Sequence, residues 1–260
     1  MAINKKQSIL ILGMILLFCF IYFGMETKPK EQRDLEKSRS ATIEATGIQN
    51  IVMESKKLLS KDNLNIIEAM QTEFKNASTD QEKVEKAKVL ASKWYEFGSP
   101  IVSGYYAEEI ANIENTQEAW SIAGTTYSIG MNSSKVEKNS QFAKGRAIKA
   151  FETAITMSDD NISDRINLAL IYVEKPDNYP MQGIQMLLKL NESYPDNVQV
   201  LNQLARLGIR TNQLDKAVQR LQKALSIEPD NNTSICLIAE VYSKMGQEDL
   251  AKEFQDKCKK

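Results

Sequence analysis

Residues 195–231 read PDNVQVLNQLARLGIRTNQLDKAVQRLQKALSIEPDN, and the Pro-Asp-Asn that opens the stretch at Pro195 returns at Pro229, 34 residues on. The surroundings return with it. Leu201 and Ile235, Leu204 and Ile238, Ala205 and Ala239, and Ala217 and Ala251 fall into one register. A 34-residue period that fixes both small and large apolar residues marks a helix–turn–helix unit stacked against copies of itself. Units of that kind make interaction surfaces rather than reaction centres.

Working outward from this pair, the chain after residue 40 has no strand-like alternation, and its patterned stretches all follow a 3.6-residue period. Thr79 with Glu82, and Asn115 with Glu118, have capping-box spacing. Gly98-Ser99-Pro100 stops one helix and starts the next, while Gly130 and Gly246 read as punctuation between paired helices. The pattern predicts helices near 50–60, 63–76 and 81–97, then 100–112 and 117–130, with two-helix units on to the end. That is an all-α solenoid.

These residues resemble the tetratricopeptide-repeat (TPR) family. Its pattern sets a large residue at position 4, Leu at 7, Gly or Ala at 8, Tyr at 11, Ala at 20, a large apolar residue at 24, Ala at 27 and Pro at 32. The unit 198–231 supplies Leu201, Leu204, Ala205, Gly208, Ala217, Leu221, Ala224 and Pro229, and the unit 232–260 supplies Ile235, Ile238, Ala239, Tyr242, Ala251 and Cys258. A third unit, 162–197, has Leu168, Ala169, Tyr172, Gly183, Leu187 and Pro195, with two extra residues in its turn at Pro176–Pro180. A fourth carries Trp120, Gly124, Tyr127, Phe151 and Ala154, with about eleven residues inserted near Met131–Gln141 by the spacing of those landmarks. Leu90, Ala91 and Trp94-Tyr95, followed by Tyr105-Tyr106, hint at a fifth, degenerate unit. The resemblance covers residues 82–260 and implies a right-handed helical-hairpin solenoid; residues 41–81 read as a helical region capping its first unit. In the last helix position 24 is Gln255, as suits a solvent-facing end.

At the amino end, Ser8–Met25 reads SILILGMILLFCFIYFGM without a charge. Eighteen residues at about 1.5 Å each come close to the ~30 Å hydrocarbon core, so this is one transmembrane helix. No small-x-small pair follows it, which marks an uncleaved signal anchor. A tail (1–7) precedes it, and a polar spacer (26–40, ETKPKEQRDLEKSRS) follows. Lys and Arg counts alone favour a cytoplasmic carboxyl side. The short tail ahead of an apolar run has instead the shape of an export signal, and the folded part is expected outside the cytoplasm, on the inner membrane.

Composition narrows the chemistry. Lys plus Arg (33) nearly cancels Asp plus Glu (34), which argues against a nucleic-acid binder. Histidine is absent, which removes the commonest general base and zinc ligand together. Cys19, Cys236 and Cys258 form no Cys-x-x-Cys pair. No catalytic, metal or cofactor residues are nominated. Trp94 and Trp120 are expected in the core, and Asp159, Asp160 and Asp230 as helix caps at unit junctions.

The resemblance places a partner-binding groove along the first helices of the units, at positions 2, 5, 9, 12 and 13. In the last two units these hold Gln199, Asn202, Arg206, Ile209 and Arg210, then Thr233, Cys236, Glu240, Ser243 and Lys244. Arg206, Arg210 and Lys244 suit an acidic or carboxylate-bearing peptide. Position 9 holds Leu170, Arg206 and Glu240, so the chaperone-binding clamp of the family is not reproduced. Cys236 and Cys258 fall at positions 5 and 27; they allow either a disulfide in an oxidising compartment or a small packed residue at Cys258 where the family has alanine. The implied function is a membrane-anchored scaffold or assembly factor of bacterial type, holding a protein or peptide partner. A self-associating envelope component and an enzyme with an unrecognised site are the alternatives.

Overall fold

The asparagine that ends Pro-Asp-Asn is a helix cap. Asn197 Oδ1 accepts from the Val200 amide at 3.0 Å, and Asn231 Oδ1 from the Ser234 amide at 3.0 Å. Asn161 does the same for Asp164 at 3.2 Å. Each satisfies one of the orphan N–H groups that a helix start leaves open. The most visible motif of the repeat is therefore a start signal. Asp160 and Asp230, expected as caps, stand one residue too early; Asp159 lies outside the described residues.

The computed structural model describes residues 47–158, 160–177, 179 and 181–258. The predicted transmembrane stretch 8–25, the spacer 26–40 and the start of the predicted cap region lie outside them. Among the described residues there are twelve helices and no strand. They are α1 (Ile48–Lys57), α2 (Lys61–Asn76), α3 (Asp80–Glu96), α4 (Pro100–Glu114), α5 (Gln117–Ser133) and α6 (Glu137–Met157), then α7 (Ile162–Glu174), α8 (Gln182–Ser193), α9 (Val198–Arg210), α10 (Leu214–Ile227), α11 (Asn232–Lys244) and α12 (Glu248–Lys257). None of these is long and apolar enough to cross a membrane.

From α3 onward the helices pack as consecutive hairpins, each first helix beside its second and each second helix beside the next first. Small residues set the crossings. A Cβ added to Gly183 in α8 would strike the backbone of α7, 2.7 Å from Val173 N and nearer still to the Ala169 carbonyl oxygen. Gly208 faces Ala217 across α9 and α10, and Gly124 faces the Phe151 ring across α5 and α6. Ala143, Ala147, Ala150 and Ala154 are buried along α6 for the same reason. The large partners, among them Trp94, Tyr127, Phe151, Leu187, Leu221 and Ile238, are fully buried between helices.

At the amino end, Ile51 of α1 and Ile67 of α2 are buried among Leu90, Trp94, Val102 and Tyr106. Gln71 Nε2 donates to Tyr106 Oη at 2.9 Å, and the Phe74 ring meets Tyr106 edge-on. The first two helices thus cover the outer face of α3 and α4. Gln255 is exposed on α12.

Three local expectations change. The residues inserted near Met131–Gln141 form no long loop, only the link 134–136: α5 has 17 residues and α6 has 21, against 13 and 14 in α9 and α10. Buried Met131 and Phe142 hold the longer hairpin together, and Ser140 Oγ donates to the Met131 carbonyl at 2.7 Å. Gly130 does not end a helix. It lies inside α5, where its bare Cα admits Ile101. Asn115 does not cap α5 either: it adopts a left-handed conformation (φ 48°) at the end of α4, and Thr116 caps α5 through the Ala119 amide. Asparagine tolerates that conformation better than most residues. The Thr79 cap, Pro100 in the first turn of α4 and the turn glycines Gly98 and Gly246 stand as expected.

If close backbone approach governs the stack, two glycine substitutions have opposite signs. Gly183→Ala overpacks the α7–α8 crossing and lowers stability by about 1–3 kcal/mol. Gly145→Ala, on the open surface of α6, raises it by about 0.5–1 kcal/mol. Paired urea denaturation curves check both.

Candidate partner-binding face

The first helices of successive hairpins leave hollows between them. One of about 530 Å³ lies between α3 and α5 over α4, with Tyr95, Ala107, Glu118 and Ile122 on its walls. A second, about 410 Å³, runs from α5 across α7 to α9 over Phe151; it is lined by Ile129, Asn132, Asn167, Leu170, Gln203 and Arg206. The ridge between the two is α5. Ile122 and Ile129 stand on it 54 % and 40 % exposed, on one helical face about two turns apart, and Tyr95 is 52 % exposed across the first hollow from Ile122. Their apolar surface is left to solvent on the ridge between the two hollows. A third hollow, about 690 Å³, sits at α11 and the end of α12, lined by Cys236, Glu240, Lys244 and Cys258.

The residues nominated from the repeat register divide among several roles. Arg206 is exposed in the second hollow. Arg210 is exposed and ion-paired to Glu174 of α7 at 2.5 Å, while Lys244 and Glu240 face each other at 3.8 Å on α11. Thr233 is exposed near the start of α11. Gln199 accepts from Ser163 Oγ at 3.1 Å and lines a separate hollow of about 560 Å³ at the capped helix starts.

Asn202 corrects the expectation outright. It is 4 % exposed, donates to Asn231 Oδ1 at 3.3 Å and accepts from Ser234 Oγ at 2.8 Å. An amide with both a donor and an acceptor ties α9 to the cap of α11, and its burial keeps it from a partner. A joint of the same kind recurs two units earlier, between α5 and α7, with different residues. Buried Asp164 of α7 accepts from Ser121 Oγ (2.6 Å) and Gln117 Nε2 (2.5 Å) of α5. A polar seam therefore runs beneath the helix starts.

Ile122, Ile129, Asn132, Asn167 and Gln203 were missed from the sequence. Apolar residues at helical spacing read as core, and only the packing shows that Ile122 and Ile129 point away from it. The available signal was their spacing of seven, offset from the buried Trp120, Ala123 and Tyr127.

Cys236 and Cys258, left open between a bridge and simple packing, are joined as a disulfide with their Cα atoms 5.0 Å apart. That separation lies within the ordinary range for such bonds. The bridge ties α11 to the residue that ends α12, whose only fully buried side chain is Ala251.

The strongest electrostatic cluster lies elsewhere. Buried Glu108 of α4 accepts from Tyr127 Oη at 2.9 Å and Arg146 Nε at 2.8 Å, and also pairs with Arg146 Nη2. Burial, with Glu108 beside it, pushes the Tyr127 hydroxyl far above its usual range. Burial likewise pushes Tyr105 up to about 12 and raises Glu109. None of these residues lines the hollows. The cluster clamps α4, α5 and α6 together. Among the described residues no group of three or more His, Cys, Asp or Glu is placed to hold a metal ion.

The sequence profile of the tetratricopeptide repeat matches residues 198–231 and 233–260, which are the hairpins α9–α10 and α11–α12. No curated protein matches the chain. Among solved structures, the chain is similar to MamA (residues 41 to the end) from Desulfovibrio magneticus RS-1, with 16 % identity and a TM-score of 0.44 over 67 % of this chain and 92 % of that one. It is similar to YrrB, described as a TPR protein with an unusual peptide-binding site, at 14 % identity and a TM-score of 0.38 over 66 % and 83 %. PilF of Pseudomonas aeruginosa matches at 14 % identity and a TM-score of 0.47 over 68 % and 76 %.

The bridge spans 22 residues of sequence, and closing a loop of that length stabilises a fold by about 3 kcal/mol in the chain-entropy account. Reduction, or the double substitution Cys236→Ser and Cys258→Ser, is expected to lower unfolding free energy by about that amount. Amide hydrogen exchange should rise first in α12.

Proposed function

We propose that this tetratricopeptide-repeat protein, so classed by its two carboxyl-terminal hairpins, is a scaffold that holds a protein partner along the first helices of α3 to α11. The observation that carries this reading is the pair of hollows on either side of α5, with Ile122 and Ile129 exposed between them. Large apolar side chains exposed in a row beside concave polar surface mark an interaction site more often than they mark nothing. Arg206, Arg210, Thr233, Glu240 and Lys244 extend the same face toward the end of the stack, and Gln199 borders it.

Binding suits this surface better than catalysis. No group with shifted proton affinity lines these hollows, which bring together amides, aliphatic chains and charges. The charge-free stretch Ser8–Met25 supplies a tether, so that the partner is held beside a bilayer. The Cys236–Cys258 bridge supports a location for the folded part outside the cytoplasm, because disulfides persist in oxidising compartments. An inner-membrane protein with its hairpins on the far side of the bilayer satisfies both features.

Two experiments test these statements. Crosslinking in intact cells, followed by co-purification, should recover a partner with the unaltered chain. Ile122→Asp with Ile129→Asp should reduce that recovery roughly tenfold or more while leaving the helical signal unchanged. An equal yield from both would remove the groove from the proposal. For topology, in a Cys19→Ser background, Cys236 and Cys258 should resist an impermeant maleimide until an impermeant reductant is added to intact spheroplasts. Labelling only after lysis would place the folded part inside.

A further inference from the structure

The links between helices fall into two sets, and their chemistry differs. Each hairpin turns from its first helix to its second at one edge of the stack and passes to the next hairpin at the other. α2 runs antiparallel to α3, with Glu73 on Lys86 at 2.7 Å toward their link and Ile67 in one core with Leu90 and Trp94. The α1–α2 turn therefore shares the first edge. The passing links (77–79, 115–116, 158–161, 194–197 and 228–231) contain five acids, Asp159, Asp160, Asp196, Glu228 and Asp230, and no base. The turns of the first edge (58–60, 97–99, 134–136, 175–181, 211–213 and 245–247) contain Lys135, Lys175 and a single acid, Asp177.

Four of the five most exposed large apolar side chains among the described residues stand on that first edge: Leu58 at 86 %, Tyr179 at 75 %, Val136 and Met181. Their turns are held in place. The Leu58 amide donates to the Ser55 carbonyl at 3.1 Å, Leu59 turns inward onto the core, and Ser60 caps α2 through the Asn63 amide at 3.2 Å. The loop that carries Tyr179 and Met181 is pinned to α6 by Lys175–Glu137 and Lys144–Asp177, both at 2.7 Å, which sets it beside the turn of Val136.

Lysines flank these side chains. Lys57 and Lys61 are exposed on either side of Leu58, and exposed Lys135 precedes Val136. The acids of the edge are answered within it: Glu96 by Lys93, Glu137 by Lys175 and Asp177 by Lys144. Asp62 stands in the first turn of α2, toward the positive end of that helix. Single apolar side chains in turns, with lysines around them and a tyrosine among them, match the boundary of a bilayer. There the acyl chains take the apolar groups and the headgroup phosphates take the cations. A protein partner would call for a continuous apolar centre instead.

We propose that this edge rests on the surface of an anionic lipid bilayer, with Leu58, Val136, Tyr179 and Met181 entering the boundary between headgroups and acyl chains. The acidic edge then faces away from the lipid phosphates, and the first-helix face stays open to the side. This rests on reading Ser8–Met25 as a tether. The 22 residues 26–47 reach at most about 75 Å, so the tether keeps the edge at high effective concentration and weak contacts suffice.

The test uses the full-length chain in vesicles of three parts phosphatidylcholine to one of phosphatidylglycerol, with plain or brominated acyl chains. Tryptophan is introduced at one position at a time, over the common background of buried Trp94 and Trp120. Brominated lipid should quench the added emission of Leu58→Trp and Tyr179→Trp by roughly half or more and leave that of Tyr194→Trp, on the opposite edge, unchanged. Lys57→Gln with Lys61→Gln should lower the docked-to-undocked ratio read at Leu58→Trp about tenfold or more; an unchanged ratio would strike the anionic headgroups from the proposal. Phe20→Trp reports the tether separately. If Phe20→Trp is quenched and the two edge probes are not, the tether stands and the docking falls. Equal quenching of Tyr194→Trp and Tyr179→Trp also defeats the choice of edge. If the edge probes are quenched and Phe20→Trp is not, the docking stands without the tether; if all escape, both fall. Superimposable thermal melts by circular dichroism establish that the variants are folded.

Discussion

Two helices of a hairpin can run side by side only where one of them gives up its Cβ or keeps it small. Gly183 against the backbone of α7, Gly208 against Ala217 and Gly124 against Phe151 are the points at which this chain meets that condition. The close approach brings aromatic and branched residues from both helices into one layer, so that Phe151, Leu187 and Leu221 are fully buried. Dense packing of this kind falls off steeply with separation, and a gap of under an ångström already forfeits a good part of it. Everything else in the stack is positioned by those crossings.

Packing alone fixes distance and leaves helices free to slide. The polar seam removes that freedom. Asn202 joins α9 to the Asn231 cap and Ser234, and Asp164 joins α7 to Gln117 and Ser121 of α5. These bonds are partly or wholly buried, so a helix that slipped by one turn would leave buried Asn202, Asp164 and Ser234 without their partners. Registry at the helix starts is thereby set by hydrogen bonds, and separation in the middle by small residues. The Glu108–Arg146–Tyr127 clamp and the Lys144–Asp177 pair, whose lysine is almost wholly buried, add charged ties at the wide, irregular part of the stack.

With the inner layers committed, the first-helix face is the surface whose composition is free to serve a partner. It carries charges, amides and exposed isoleucines together. The Cys236–Cys258 bridge ties α11 to the residue that follows α12. A short helix with a single fully buried side chain gains more from such a tie than a well-buried one.

The 34-residue recurrence, the start signals and the small-residue positions were legible in the sequence because each reflects a local or periodic constraint: a cap needs asparagine, a crossing needs glycine or alanine. Those signals determined an all-helical stack of hairpins and predicted Trp94, Trp120, Gln255 and the Thr79 cap in their observed roles. Tertiary structure alone decided the rest. Whether an isoleucine at helical spacing faces the core or the hollow depends on a rotation of some tens of degrees, which spacing does not encode; hence Ile122 and Ile129 emerged late. Asn202 went from groove to joint because its partners, Asn231 and Ser234, lie about 30 residues away. Eleven apparently inserted residues became extra helical turns because α5 and α6 had apolar surface to cover, and two distant cysteines met because the chain's last hairpin folds back on itself.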